Sequence, residues 1–270
     1  MLIAEGRHVV ARNKIEQLKR EKDGLDVWPD LLRYAREGVE AIPPDDLERL
    51  KWYGLFHRRA TPGFFMLRLR IPNGVLTSEQ LAAVAEISER CGRGTADVTT
   101  RQNIQLRWIT IADAPWVLQR LAAAGLNSQQ SGMDNVRNIV GCPVAGLDGS
   151  ELIDARPLAA RLQQAVVGTK AFSNLPRKFN LSIAGCREDC TCAQTHDLSF
   201  VPATREGVIG FNVLAGGALG GQHPALAGPL DVFVPPPQVV PAARAVLELF
   251  RDHGPRDQRK QARLKWLLRE

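Results

Sequence analysis

The first half of the chain combines short runs of alternating apolar and polar residues with two helical periods. Phe64–Ile71 alternates apolar residues with two arginines and predicts a strand. Leu81–Ile87 repeats apolar positions at helical spacing behind a Thr77–Gln80 capping box, and therefore predicts a helix. Two further strands are predicted over Asp97–Thr100 and Ile104–Ile109. A helix over Ala114–Ala124 and a strand over Val136–Val140 follow them. This βαββαβ order predicts a split βαβ, ferredoxin-like half-domain.

The second half of the chain predicts an α+β unit with an antiparallel sheet. Pro157 suits the first position of a helix over Leu158–Val167. A second helix is predicted over Val239–His253, after a triple proline that breaks the chain. The predicted strands between these helices are Phe179–Ile183, Leu198–Val201 and Val208–Leu214. The whole chain is therefore predicted to be of the α+β class.

These patterns divide the chain into four segments. Residues 1–55 are charged and only weakly helical, so we expect an arm that wraps over a core. Residues 56–135 form the predicted half-domain and residues 136–254 the second α+β unit. Residues 255–270 are basic and amphipathic, and predict a basic helix, which we expect to link to a missing second half.

Composition narrows the class of protein without fixing its function. The 270 residues are 44% hydrophobic and 24% charged, which is typical of a globular protein. The net charge of +6 fits anionic small molecules, an acidic protein partner or nucleic acid. Only 6% of residues are aromatic and no RNA-binding string is present, so nucleic acid is disfavoured. With no membrane-length apolar run and no signal-peptide pattern, we expect a cytoplasmic protein without a membrane association.

Arginines are grouped where strands end and loops begin. Ser131–Gly141 is a polar loop that carries Arg137, and such loops are typical anion sites. Arg68 and Arg70 lie two positions apart on a strand and so share a face. Further candidates of this kind are Arg101, Asn103, Gln105, Arg107, Arg177 and Lys178. A single arginine is more often solvated, but grouping within apolar strands favours the binding of several carboxylates.

Two other patterns contain residue types that are common in ligand sites. Cys186, Cys190 and Cys192, with His196 nearby, match neither a zinc nor a common iron–sulfur spacing. We therefore interpret them as buried or incidental thiols and predict no metal site. Gly216 and Gly217 begin a glycine-rich turn after a strand, where backbone can approach a flat or anionic ligand closely. The turn lacks the spacing of nucleotide-binding loops.

Several longer strings resemble the siroheme-dependent nitrite and sulfite reductase family, and within it the assimilatory ferredoxin-dependent nitrite reductases. The resemblance runs from about residue 10 to the C-terminus. It is carried by KWYGLFHRRATPGFFMLRLRIPNG, DVTTRQNIQL, QQSGMDNVRNIVGCPVAG, NLPRKFN, THDLSFVPA and GFNVLAGG. The resemblance implies siroheme, a tetrapyrrole with many carboxylates, and the six-electron reduction of nitrite to ammonia.

The resemblance also implies roles for single residues. By position, Arg70, Arg137 and Lys178 would hold the substrate anion. Asn180 stands where sulfite reductases usually carry a second lysine, which favours nitrite over sulfite. The residues that would contact siroheme are Arg68, Arg101, Gln102, Asn103, Gln105, Arg107, Arg177, Gly216 and Gly217.

The chain departs from the family in one respect. Family members carry two pseudo-repeated halves, and the cysteines of their 4Fe–4S cluster belong to the second, in a pattern that this sequence lacks. We therefore expect the chain to be the N-terminal half of the enzyme, with the cluster supplied by a missing C-terminal half or a partner subunit. The expected electron donor is reduced ferredoxin, steered by Arg259, Lys260 and Arg263 of the basic helix. A non-catalytic siroheme or tetrapyrrole-binding module, a ligand-free remnant and a sulfite reductase half remain alternatives.

Overall fold

The N-terminal segment packs against the rest of the chain through three helices. A computed structural model describes residues 13–220 and 223–269, so the first twelve residues of the predicted arm lie outside the described residues. The helices are α1 (Lys14–Glu21), α2 (Trp28–Glu37) and α3 (Pro44–Arg49). Leu18 and Leu31 are buried in the same apolar cluster as the first sheet. Burial of these side chains ties the segment to the core.

The first sheet contains four antiparallel strands in the order β1-β2-β4-β3. They are β1 (Leu55–His57), β2 (Phe65–Arg70), β3 (Ala96–Val98) and β4 (Asn103–Ile109). The helices α4 (Ser78–Cys91) and α5 (Ala114–Ala123) contribute Val84, Ile87, Val117 and Leu121 to its core. The Thr77–Gln80 capping box forms as predicted at the start of α4.

The predicted βαββαβ order is wrong in its last strand. The strand β5 (Val136–Val140) forms, but it lies at the edge of the second sheet and pairs in parallel with β6 (Phe179–Ile183). Its Val136 and Ile139 belong to the second apolar cluster, which explains the change of partner. The edge position beside β2 is taken by β1.

The second sheet is mixed, whereas an antiparallel sheet was predicted. Its order is β5-β6-β7-β8-β9, where β7 is Leu198–Arg205, β8 is Val208–Ala215 and β9 is Gly228–Val234. β5, β6 and β7 are parallel, and β7, β8 and β9 are antiparallel. The helix α6 (Arg156–Val166) connects β5 to β6, as parallel neighbours require. The α+β class is confirmed.

Over the described residues 255–269, the predicted basic helix does not form as one continuous helix. After α7 (Val239–His253), the chain makes a single turn over Arg259–Gln261 and the one-turn helix α8 (Leu264–Leu267). Three of the four arginines of this segment instead pair with buried carboxylates: Arg256 with Glu16, Arg259 with Asp134 and Arg263 with Asp197. No helix among the described residues is both long and apolar enough to cross a membrane.

Candidate anion and cofactor site

A polar pocket lies between β2, the β3–β4 turn and the loop that leads into β5. The residues of its wall that matter here are Arg68, Arg101, Asn103, Gln105, Arg137 and Asn138. The antiparallel register places Arg68 opposite Gln105 and brings the turn beside the end of β2. Five of these six residues were singled out in the sequence, and the structure gathers those five from three separate segments.

Arg137 is held by its own loop. Its two terminal nitrogens donate to the carbonyl oxygens of Ser131 at 2.9 Å and Met133 at 2.8 Å. Its Nε atom is buried and has no partner among the described residues. Burial, together with the charges of Arg68 and Arg101, lowers the pKa of Arg137 to about 9. A guanidinium held in this way faces the pocket in a fixed orientation and attracts an anion.

Arg68 and Arg101 add two further cations. Arg68 lies over the Phe56 ring at 4.6 Å, and its Nε donates to the Gln105 amide oxygen at 3.2 Å once that amide is oriented to suit both side chains. Burial and the charge of Arg101 lower the pKa of Arg68. Arg101 makes no ion pair with any residue of 13–220 or 223–269. Burial and the charge of Arg263 lower its pKa as well.

Lys178 extends this positive region from the second sheet. Burial lowers its pKa to about 8, and the charges of Arg263, Arg137 and Arg101 act in the same direction. Two residues later, the backbone N–H of Asn180 donates to Asp197 at 2.7 Å, while its buried side-chain oxygen has no partner in the described part of the chain. Lys178 is thus an acid that can give up a proton near neutral pH.

Arg70 does not face the pocket, contrary to its predicted role in holding the substrate. Its side chain is fully buried and donates to the carbonyl oxygens of Gln130, Val136 and Arg137 at 3.2, 2.6 and 2.9 Å. Its Nε donates to the Gln163 side chain at 3.0 Å. Because these nitrogens all donate to groups of the protein, Arg70 holds the loop before β5 and the helix α6 against the first sheet.

Two of the predicted siroheme contacts also have structural partners. The Gln102 amide donates to the Gly141 carbonyl and accepts from the Gly141 N–H, both at 2.9 Å, so it joins the β3–β4 turn to the end of β5. Arg107 pairs with Asp97 at 2.6 Å on the surface, with 40% of its side chain exposed. Neither side chain points its donors into the pocket.

Two buried carboxylates offset the positive charge, and neither was predicted as part of the site. Asp134 is fully buried and lies 3.4, 3.3 and 2.7 Å from the nitrogens of Lys19, Arg177 and Arg259. Asp197 accepts from Arg263 at 2.9 and 2.6 Å. Arg177, a predicted siroheme contact, is therefore paired with Asp134 and is not among the residues that line the pocket. The available signal was an acidic residue next to a large apolar one: Asp134 follows Met133, and Asp197 precedes Leu198.

Gly216 and Gly217, which follow β8, lie close to the backbone of the segment Gln194–Asp197. A side chain on Gly217 would place its Cβ 2.3 Å from the Gln194 carbonyl oxygen. Gly216 has a φ of 90° and donates its N–H to the Asp197 carbonyl at 2.9 Å. The close approach predicted from the sequence is present, and the partner visible in the described residues is protein backbone.

Three cysteines meet at a second place. The sulfur atoms of Cys142, Cys186 and Cys190 lie within 4.8 Å of one another, an arrangement that could hold a metal ion. The sequence interpretation of incidental thiols considered Cys186 and Cys190 with Cys192 and overlooked Cys142, which is distant in sequence. In the described part of the chain, Cys192 and His196 do not join this group.

Comparison with known proteins places the chain in a family. Residues 132–270 match the family model described as the nitrite and sulphite reductase 4Fe-4S domain. The chain belongs to the nitrite and sulphite reductase family. Residues 57–124 match the nitrite/sulfite reductase ferredoxin-like half domain, which confirms the predicted half-domain. The expectation that the 4Fe-4S domain lies in a missing half or a partner subunit is not supported, because this chain covers a domain of that description.

The curated relatives have about twice the length of this chain. The ferredoxin–nitrite reductase of Leptolyngbya laminosa is 49% identical over 96% of the chain and 52% of its own length. That of Synechococcus elongatus is 50% identical over the same shares. Among solved structures, the NirA protein of Mycobacterium tuberculosis matches with a TM-score of 0.88 and 30% identity over 94% of this chain and 49% of its own. A dissimilatory sulfite reductase shares the fold at 13% identity and a TM-score of 0.64.

The pocket residues fit a ligand with many carboxylates. Besides the cations, side-chain atoms that are buried without a partner in the described residues lie here: Asn103 Oδ1, Arg137 Nε and Asn138 Oδ1. Such atoms are expected where a bound polar group completes the hydrogen bonding. A 4Fe–4S cluster does not fit the cysteines described here. Its four thiolates bind four different irons, whereas only three sulfurs meet in the described chain, and they lie close together.

Proposed function

We propose that this chain forms the siroheme- and nitrite-binding part of a ferredoxin-dependent nitrite reductase, which reduces nitrite by six electrons to ammonia. The observation that carries the proposal is that Arg68, Arg101 and Arg137 line one pocket, with Lys178 near enough for the charges of Arg137 and Arg101 to act on it. The pKa of each is lowered by burial and by the charges of its neighbours. Buried cations that lie close together repel one another and lose hydration, and an anionic ligand with several carboxylates would offset both effects.

We divide the cations into two groups, as the resemblance to the family implies. Arg101, with Asn103 and Gln105 beside it, lines the turn and would hold carboxylates of siroheme. Arg68, Arg137 and Lys178 would hold the substrate anion; Arg68 takes the place first predicted for Arg70. When bound, siroheme would supply the iron at which nitrite is held and reduced. The protein's part is to orient the anion and stabilise the charge that develops on it.

Lys178 is the residue best suited to proton delivery. Conversion of nitrite to ammonia consumes protons as well as electrons, so a group that gives a proton near neutral pH is required. With a pKa of about 8, the Lys178 Nζ is protonated at pH 7 and can release its proton at little cost. Its four cationic neighbours favour the release.

The choice of nitrite over sulfite is supported by Asn180 and by the relatives. Sulfite reductases usually carry a lysine at this position, and a neutral amide suits a monoanion better than a dianion. The Asn180 side chain is an uncharged amide and adds no positive charge, and its buried oxygen has no partner in the described residues. The two relatives at about half identity are both ferredoxin–nitrite reductases.

Reduced ferredoxin is proposed as the donor because it appears in the names of these relatives. The basic C-terminal helix first expected to steer it is absent. Arg259 and Arg263 are engaged with Asp134 and Asp197, so charge reversal there would test stability and not docking. Of the three predicted steering residues, Lys260 is the exposed one.

Siroheme titration of two matched variants tests the proposal. Arg101→Met removes a pocket cation with no ion-pair partner in the described residues, and Arg107→Met removes a surface cation six positions away. We expect Arg101→Met to weaken siroheme binding by about tenfold or more, since a charge-assisted contact contributes about 1.5–3 kcal/mol. Arg107→Met should bind as the parent does. Equal affinity of both variants and the parent would contradict the proposal, as would a parent that binds no siroheme.

A further inference from the structure

The three cysteines that meet come from the ends of two neighbouring parallel strands. Cys142 follows β5 by two residues and Cys186 follows β6 by three, with Cys190 in the same loop as Cys186. The parallel register pairs Val140 with Ser182, so the carboxyl ends of both strands meet at one edge of the sheet. That edge is a common place for ligand sites in sheets of parallel strands.

The backbone around the three sulfurs is held from several sides. The Cys142 carbonyl accepts hydrogen bonds from the Asn73 side chain and from the Ala145 N–H, both at 3.2 Å. The Gly185 carbonyl accepts from the Leu152 N–H at 2.8 Å, and a Cβ on Gly185 would lie 2.2 Å from the Ile153 carbonyl oxygen. The cysteines are therefore brought together by the fold and do not depend on a disulfide.

The spacing of the sulfurs fits one metal ion. With metal–sulfur bonds of about 2.3 Å, tetrahedral geometry places thiolates about 3.8 Å apart. The three sulfurs lie within 4.8 Å of one another, so a small movement of side chains completes the geometry. Cysteines of an iron–sulfur cubane bind different irons and lie farther apart.

We propose that Cys142, Cys186 and Cys190 bind one thiophilic ion of the Zn²⁺ type. Cys142 and Cys186 are buried and Cys190 is exposed, so the fourth position opens toward solvent. A water molecule takes this position. Binding replaces the three thiol protons by the ion and releases them to solvent.

The proposed ion would join the ends of β5 and β6 next to the polar pocket. Cys142 directly follows Gly141, whose backbone is bonded on both sides to Gln102 of the β3–β4 turn. The metal site shares no ligand with the pocket residues. Its presence therefore does not depend on siroheme or nitrite binding, and either proposal can fail alone.

Cobalt and zinc titrations of the reduced, metal-free chain test the inference. Co²⁺ should bind one ion per chain, with the sulfur-to-metal charge-transfer absorption of a thiolate site, and Zn²⁺ should displace it. Zn²⁺ should also raise the melting temperature, because an ion that binds only the folded state stabilises it. Mg²⁺, which prefers oxygen ligands, should do neither.

Two exposed cysteines of the same loop provide a matched pair. Cys190→Ser removes a proposed ligand, and Cys192→Ser removes a thiol outside the group. We expect Cys190→Ser to lose the charge-transfer band and to weaken Zn²⁺ binding at least tenfold, while Cys192→Ser behaves as the parent does. Cys142→Ser, checked for folding by circular dichroism, should match Cys190→Ser. Absence of Co²⁺ and Zn²⁺ binding by fully reduced chain, or equal binding by both serine variants, would overturn the inference.

Discussion

Two arginines on one strand have different surroundings. Arg68 and Arg70 share a face of β2, yet Arg68 lines the polar pocket and Arg70 is buried against the loop before β5. The backbone N–H of Arg70 already bonds to Asn127 at 2.8 Å, where the first sheet meets that loop. Alternation along a strand predicts the shared face, but it cannot tell which neighbouring segment covers each end of the strand.

Substitution of each arginine by methionine should separate their roles. Arg70→Met leaves three buried carbonyl oxygens without a donor and should reduce the free energy of unfolding by about 3 kcal/mol or more. Arg68→Met should change it by less than about 1 kcal/mol and weaken nitrite binding to the siroheme-loaded chain by about tenfold. Urea unfolding and nitrite titration measure the two effects. The assignment fails if Arg70→Met proves the more stable of the two variants.

Lys178 should make both stability and anion binding depend on pH. Its folded-state pKa of about 8 lies below the ordinary 10.5, so the unfolded chain binds more protons between these values. The free energy of unfolding should therefore gain a contribution from Lys178 as pH rises from about 8 to 10.5, and anion affinity should fall over the same interval as the charge is lost.

The variant Lys178→Met checks this dependence. It removes a partly desolvated cation from among other cations, so at pH 7 it should raise the free energy of unfolding by about 1–2 kcal/mol after allowance for solvent screening. In this variant, the free energy of unfolding and the anion affinity should no longer change between pH 8 and pH 10.5 through Lys178. Urea unfolding at pH 7 and pH 9 provides the measurement. Destabilisation at pH 7 with an unchanged pH profile would show that Lys178 has another role.

At the scale of elements, the loop before β5 is fixed by the buried carboxylate of Asp134. Burial alone would raise the pKa of Asp134, but the hydrogen bond from Arg259 and the charges of Lys19 and Arg177 outweigh it, and the pKa is lowered. These cations come from α1, from the segment before β6 and from the C-terminal turn. One carboxylate thus joins elements that are far apart in sequence.

Removal of this charge should be costly. Asp134→Asn leaves buried cations without their partner and should lower the free energy of unfolding by about 3–5 kcal/mol. Asp154→Asn, which breaks an exposed pair with Arg156, should cost less than about 1 kcal/mol. Denaturant unfolding of both variants at pH 7 is the measurement. Similar values for the two would contradict the linking role of Asp134.

The existence of elements was more predictable than their partners. Local signals such as the Thr77–Gln80 capping box and the alternation in Phe64–Ile71 depend only on neighbouring residues. The structure confirms the helix start and the strand that they predict. The partner of Val136–Val140 depends on which apolar cluster receives its side chains, and the sequence pattern does not contain that information. The same limit applies to the C-terminal arginines, whose charge pattern predicted a solvated helix although Asp134 and Asp197 bind two of them.

At the scale of the whole molecule, the candidate site lies where the two sheets meet. Arg68 and Arg101 come from the first sheet and its turn, whereas Arg137 and Lys178 come from the second. The sequence supplied these residues as separate groups, and the fold brings them together. Cys142 and Cys186 meet for the same reason, and their separation of 44 positions hid the group from any reading of spacing.

The chain spans about half the length of its curated relatives, so binding is the property to measure on it. The most direct measurement is a titration of the siroheme-loaded chain with nitrite and, in parallel, with sulfite at pH 7, followed by the absorption of the siroheme. We predict a saturable change with nitrite, at lower concentrations than any change with sulfite. No saturable change with nitrite, or tighter binding of sulfite, would contradict it.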